Sequence, residues 1–104
     1  MDNSLSFAKR LKKLNKNSTK ILLNEIGLDK ESKEILYKRY VEEMSLVEIA
    51  NELGYTKEST NNLLAKSRRV LEDIILEQYE LMPIKLQMIA EYLYKLLKDL
   101  KFKI

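Results

Sequence analysis

The chain has 104 residues, a formal net charge of +3 and 34% charged side chains, and it contains neither cysteine nor histidine. This length suits one domain with a modest core. The missing residue types exclude disulfide scaffolds, cysteine-ligated zinc, thiol catalysis and the commonest general base. No apolar run approaches the ~18 residues of a membrane span, and the amino terminus lacks the apolar stretch of a secretory signal. We therefore expect a soluble, intracellular protein that is not an enzyme.

Positive charge is concentrated in the first 24 residues, which hold six basic side chains and one acidic side chain. A first helix is predicted from apolar residues at three-residue steps: Leu5, Ala8, Leu11 and Leu14. Residues 15–18 weaken and end this helix, and a short helix over 19–25 stops at Gly27. We interpret residues 1–28 as a basic, packed helical segment. Two alternatives stay open, an arm on DNA phosphates and an amphipathic helix that docks on a partner or an anionic surface.

The middle of the chain, residues 29–75, is predicted to form three further helices. A polar residue that can cap a helix precedes each of them: Asp29 or Ser32, then Ser45, then Thr56. Glu48 stands three residues after Ser45 and completes a capping box. The helix that Ser45 begins ends at Gly54, which suits the left-handed backbone of a tight turn.

The spacing from Ala50 to Thr56 predicts a helix-turn-helix. Ala50 has a small side chain where two helices must approach closely, and Gly54 supplies the turn between them. If the apolar side of the next helix faces inward, its opposite side offers amide and basic groups to base edges and phosphates in a major groove. The predicted DNA-binding residues are Thr56, Lys57, Glu58, Ser59, Asn61, Asn62, Lys66, Arg68 and Arg69.

These features resemble region 4 of bacterial sigma-70-type sigma factors and of the regulators derived from them. In that family a helix ending in an R-Y-like pair precedes an S-x-x-E-I-A-x-x-L-G helix and a recognition helix closed by basic residues. The present chain has Arg39-Tyr40, then the whole pattern from Ser45 to Gly54, then Arg68-Arg69. The resemblance implies a helix-turn-helix that binds double-stranded DNA and also contacts RNA polymerase.

The sequence departs from the family pattern at two positions. Thr60 stands where valine is usual, and Leu63 stands where a recognition helix often carries a basic side chain. Nothing upstream resembles the part of a sigma factor that reads the −10 promoter element. The resemblance therefore implies a stand-alone regulator, of the kind seen in phage and mobile elements, in the cytoplasm of a bacterial or phage-infected cell.

Residues 76–104 are predicted to be a helical extension. Pro83 breaks the chain, and a helix over about 84–100 carries apolar residues at a spacing near 3.5. This spacing is typical of a dimerisation helix, although the same stripe can close the core of a monomer. The predicted homodimer interface is Leu86, Ile89, Leu93, Leu96 and Leu100. Met88, Tyr92 and Tyr94 are alternative contacts for another protein.

The sequence as a whole predicts an all-α protein of about five to six helices, with no cofactor, no metal and no membrane contact. The leading interpretation is a DNA-binding transcriptional regulator. A phage protein similar to a small terminase subunit, which marks DNA for packaging, is a second hypothesis. A module that binds RNA polymerase or another regulator without binding DNA is a third. Catalysis is rejected, because the adjacent Glu42 and Glu43 point apart and no histidine, cysteine or glycine-rich phosphate loop accompanies them. Four further acidic residues lack the loop geometry of a magnesium or calcium site: Glu72, Asp73, Glu77 and Glu80.

Overall fold

The computed structural model describes the backbone of residues 3–102 and the side chains of residues 6–100. This part of the chain contains no strand, and the predicted all-α class is confirmed. A short 3-10 helix separates the last two α-helices. The helices are α1 (Asn3–Lys13), α2 (Lys16–Glu25), α3 (Lys30–Tyr40), α4 (Leu46–Leu53), α5 (Lys57–Gln78) and α6 (Ile84–Phe102), with the 3-10 helix at Tyr79–Leu81.

Four helices begin at a side chain that accepts a hydrogen bond from the backbone N–H three residues later: Asn15, Asp29, Ser45 and Thr56. Residues 15–18 are predicted to weaken and end α1, and α1 ends at Lys13. Asn15 also caps α2, which therefore starts at Lys16 and not at the predicted residue 19, because an asparagine that disfavours a helix interior is a good N-cap. Gly27, with φ +83°, stands just past the end of α2 as predicted.

One apolar core runs through all six α-helices. Helix α1 contributes Phe7 and Leu11, both fully buried, while Leu14 is half-buried and the side chain of Leu5 lies outside the described residues. The basic first helix is therefore packed against the body of the protein. The same core cluster also includes Leu22 and Leu23 of α2, Ile35 and Leu36 of α3, Ile49 of α4, Leu64, Leu71 and Ile75 of α5, and Leu86, Ala90, Leu93 and Leu97 of α6.

The apolar series of α6 packs mainly within the chain. Leu86 and Leu93 are 6% and 0% exposed and pack inside the chain. Their assignment to a homodimer interface stays a prediction. The buried stripe continues through Ala90 and Leu97, which the predicted series did not include. Ile89, Leu96 and Leu100 are half-buried, and self-association through another face of α6 stays a prediction.

Two of the three residues suggested as contacts for another protein are engaged inside the chain. Arg10 Nη1 donates to the Tyr92 carbonyl oxygen at 3.0 Å, and its guanidinium lies 4.6 Å from the centre of the Tyr92 ring. Tyr94 stacks on Tyr79 with 4.0 Å between ring centroids. Both contacts hold α6 against its neighbours. Met88 is 72% exposed. None of the helices within residues 3–102 combines the length and apolar composition needed to cross a membrane.

Candidate DNA-binding site

Helix α4 begins with a complete capping box. The Ser45 hydroxyl accepts from the Glu48 backbone N–H at 3.1 Å, and the Glu48 carboxylate accepts from the Ser45 N–H at 2.9 Å. The hydrogen bond from the Ser45 backbone lowers the pKa of Glu48, because it favours the charged carboxylate. The predicted capping box is confirmed, and it gives α4 a defined first turn.

The turn between α4 and α5 depends on Gly54. Its backbone is left-handed, with φ 74° and ψ 27°, and its N–H bonds to the Ala50 carbonyl oxygen. The Tyr55 N–H bonds to the same carbonyl at 2.9 Å. Ala50 is 3% exposed, as expected for a residue at a close helix crossing. The chain therefore leaves α4 in a defined direction and enters α5 three residues later.

Helix α5 begins at Thr56, whose hydroxyl oxygen accepts from the Ser59 N–H at 3.0 Å. The Thr56 carbonyl oxygen accepts from the hydroxyl of Thr60 at 2.8 Å. Thr60 is fully buried, and this bond within the helix satisfies its hydroxyl without a second partner. A threonine can therefore occupy an apolar position of α5.

The two sides of α5 differ sharply in exposure. At 3.6 residues per turn, one side is buried: Thr60, Leu64, Ser67, Leu71 and Ile75. The predicted stripe Glu58, Asn62, Lys66 and Arg69 lies on the opposite side and is exposed throughout. Lys57, Ser59 and Asn61 are also exposed, in the first turns. The first half of α5 thus presents amides, carboxylate and cationic groups to solvent on one continuous surface.

Arg68 differs from the other predicted DNA-binding residues. It is half-buried at the edge of the packed side of α5, and its Nη1 donates to the Tyr40 hydroxyl at 3.3 Å. Its Nε is buried and has no hydrogen-bond partner. The structure therefore brings Arg68 into the contact between α3 and α5, whereas its neighbour Arg69 points to solvent.

Helices α3 and α4 are held in place by polar contacts that the sequence did not predict. Arg39 Nη1 donates to the Met44 carbonyl oxygen at 2.9 Å and so closes the loop between the two helices. Lys38 forms an ion pair with Glu52, and the hydrogen bond to that carboxylate raises the pKa of Lys38. The Arg39-Tyr40 pair of the sequence was the available signal of such contacts. Arg39 bonds to the loop before α4, and Tyr40 bonds to Arg68 of α5.

Residues 27–73 match the family model for sigma-70, region 4. They form a sigma-70 region 4-like helix-turn-helix domain. No curated protein and no solved structure matches the chain significantly. The family is one of DNA-binding domains and not of enzymes. Its match spans α3, α4 and most of α5, whereas α1, α2 and α6 lie outside it.

The structure gives a physical reason for the second departure from the family pattern, which is the leucine at position 63. Leu63 is half-buried against the core and lines an open cleft of about 310 Å³ together with Leu53, Tyr55 and Ile35. Leu63 therefore packs next to the turn between α4 and α5. A basic side chain is thereby missing from the α5 surface, and Lys66 and Arg69 carry the exposed positive charge of its middle turns.

The acidic residues of the described chain do not converge. Within residues 3–102 no group of three or more Asp or Glu side chains is placed to hold a metal ion. Asp73, Glu77 and Glu80 are exposed along the end of α5 and the 3-10 helix, and Glu72 is half-buried. Asp29 instead accepts from the Ser32 backbone N–H, which lowers the pKa of Asp29. Asp29 thus caps α3, and Asp73, Glu77 and Glu80 face solvent.

Proposed function

We propose that the protein is a sequence-specific transcriptional regulator that inserts the first half of α5 into the major groove of double-stranded DNA. One observation carries the proposal: α5 follows a left-handed glycine turn in a region 4-like domain, and it exposes a polar stripe of Glu58, Asn62, Lys66 and Arg69. In helix-turn-helix proteins the second helix enters the major groove and its first residues reach base edges.

The side chains divide into two roles by their chemistry. Asn61 and Asn62 can bond the N6 and N7 edge of adenine, and this readout is specific for sequence. Lys66 and Arg69 suit phosphate oxygens or guanine. Thr56, Lys57 and Ser59 lie at the exposed start of the helix, where the free backbone N–H groups also favour a phosphate. Arg68 acts from the packed side and keeps α5 on α3.

Contact with RNA polymerase is the second part of the proposal. The family of residues 27–73 supports it. We infer an activator that contacts polymerase in the manner of sigma region 4 while α5 holds the DNA. The experiment is retention of purified polymerase by the immobilised protein, with a promoter fragment present and absent.

DNA binding is tested with the double variant Lys66→Ala, Arg69→Ala. The binding substrate is first chosen by selecting bound duplexes from a random-sequence library. We expect the variant to lose at least tenfold in affinity for the selected duplex, with unchanged helical circular dichroism, because both side chains are exposed. The matched control is Lys85→Ala, Lys95→Ala on α6, which removes the same charge from exposed positions and should bind like the parent.

The same measurements separate the alternatives. A variant that binds the selected duplex as tightly as the parent contradicts the groove-facing stripe. Binding without sequence preference, together with ring-sized particles in light scattering, favours the small-terminase hypothesis. No binding near physiological salt, with polymerase still retained, favours the protein-interaction module.

A further inference from the structure

Helices α1 and α2 carry five exposed lysines that the region 4-like domain does not include. We call them the lysine ridge: Lys9, Lys12, Lys13, Lys16 and Lys20. No acidic residue occurs between Asp2 and Glu25. Lys9, Lys12 and Lys13 lie on the side of α1 opposite its buried residues Phe7 and Leu11. Within α1 and α2, no acidic residue before Glu25 alternates with these lysines.

One residue of the ridge, Lys16, lies beside the helix-turn-helix. Lys16 Nζ lies 3.1 Å from the Glu43 carboxylate, in the loop between α3 and α4. Glu43 stands two residues before Ser45, the cap of α4. In helix-turn-helix complexes the first helix of the motif crosses the DNA backbone. The Lys16 contact thus places Lys16 next to the first turn of α4, the first helix of the motif.

The segment from Tyr40 to Glu43 contacts both α5 and α2. Tyr40, the last residue of α3, accepts a hydrogen bond from Arg68 on the packed side of α5, and Glu43 pairs with Lys16 of α2. The Lys16–Glu43 pair is well exposed, at 60% and 66% of the two side chains, so it holds Lys16 weakly. A phosphate can replace the carboxylate without uncovering a buried charge.

We propose that the lysine ridge contacts the phosphate backbone of DNA that flanks the site read by α5. This inference rests on the proposed function. Lysine is a mobile point charge that suits phosphate oxygens and reads no sequence. The ridge therefore adds affinity and salt dependence, while the α5 stripe sets the sequence preference.

The test compares the triple variant Lys9→Gln, Lys12→Gln, Lys13→Gln with the control Lys85→Gln, Lys95→Gln, Lys98→Gln, whose three lysines on α6 are also exposed. The binding probe is a 40-base-pair duplex of random sequence, measured over a series of salt concentrations. Each phosphate contact contributes roughly 0.9 to the slope of log K against log salt. We expect the ridge variant to lower that slope by about 2 to 3 and the control to leave it unchanged. Circular dichroism of both variants should match the parent.

The outcomes distinguish the two proposals. If the ridge variant keeps the parental slope while Lys66→Ala, Arg69→Ala weakens binding, the ridge proposal fails and the proposed function stands. If the parent binds no duplex, both fail. Vesicles containing 30% phosphatidylserine serve as a second probe. A ridge variant that loses only vesicle binding contradicts a DNA contact and assigns the ridge to an anionic membrane surface.

Discussion

The guanidinium of Arg68 donates to the phenolic hydroxyl of Tyr40, 3.3 Å away, and joins the middle of α5 to the last residue of α3. Arg69, one residue further, is exposed. One helical step of about 100° therefore separates a side chain that supports the recognition helix from one that is free to meet a phosphate.

Arg68→Ala should mainly lower the stability of the fold, whereas Arg69→Ala should mainly weaken DNA binding. Loss of the Tyr40 hydrogen bond and of packing should lower the free energy of unfolding in Arg68→Ala by about 1 kcal/mol. Arg69→Ala should change stability by no more than about 0.5 kcal/mol, because its side chain is exposed, and should weaken DNA binding. Urea unfolding followed by circular dichroism and titration of a selected duplex measure the two effects.

Tyr40→Phe is the matched control, since it removes the acceptor and keeps the ring. It should reproduce most of the stability loss of Arg68→Ala. Equal unfolding midpoints for the parent, Arg68→Ala and Tyr40→Phe would contradict a supporting role for this contact.

Helix α6 offers a second pair of contrasting variants. Leu93 is fully buried, so Leu93→Ala should lower the free energy of unfolding by about 2 to 5 kcal/mol. Met88 is 72% exposed, and Met88→Ala should change it by about 0.5 kcal/mol or less. Thermal and urea unfolding provide the comparison.

The exposed face of α6 also provides the test of self-association. A second copy that joins through α6 would meet Ile84 and Met88, which are 75% and 72% exposed, together with Leu81 at 84%. Met88→Asp should then lower the mass measured by sedimentation without unfolding the chain. A parent that sediments as a monomer at every concentration would remove the homodimer prediction.

Acid should weaken the start of α4. Glu48 has a lowered pKa in the folded protein, so its contribution to stability is complete above its unfolded pKa of about 4.3 and is lost as the pH falls through the folded value. Glu48→Gln removes this titration. The stability difference between the parent and Glu48→Gln should therefore shrink as the pH falls from 6 to 3.

The control for acid sensitivity is Glu77→Gln, which removes one exposed carboxylate from the end of α5. Its difference from the parent reports the general effect of charge, which is subtracted from that of Glu48→Gln. A Glu48→Gln difference that stays constant over the whole pH range would mean that the capping hydrogen bond does not favour the carboxylate.

Features that depend on a few neighbouring residues were predictable from the sequence. The structure confirms three such features: the capping box of Ser45 and Glu48, the left-handed turn at Gly54 and the cap at Thr56. The exposed face of α5 followed from the same periodicity, since a helix with one apolar side has only one outward side. The region 4-like domain was accordingly accessible from residue types and spacing.

Features that depend on distant partners were not predictable in the same way. The spacing of Leu86 and Leu93 fits a dimer seam and a monomer core equally, and the choice depends on what α1, α2 and α5 bring against them. Arg68 lies at the edge of the buried side, where its direction is decided by Tyr40 on another helix. Phe7 is fully buried although it stands outside the three-residue pattern of leucines and alanine that predicts α1.

The core that α1, α2 and α6 share with the matched residues limits how this protein can be divided. Leu36 and Leu71, inside the match, belong to one cluster with Leu22 and Leu93, outside it. Excising residues 27–73 would uncover apolar side chains on both α3 and α5. The recognition surface and its flanking helices should thus melt in a single transition, and a graft meant to transplant the specificity of α5 has to move surface side chains rather than the whole segment.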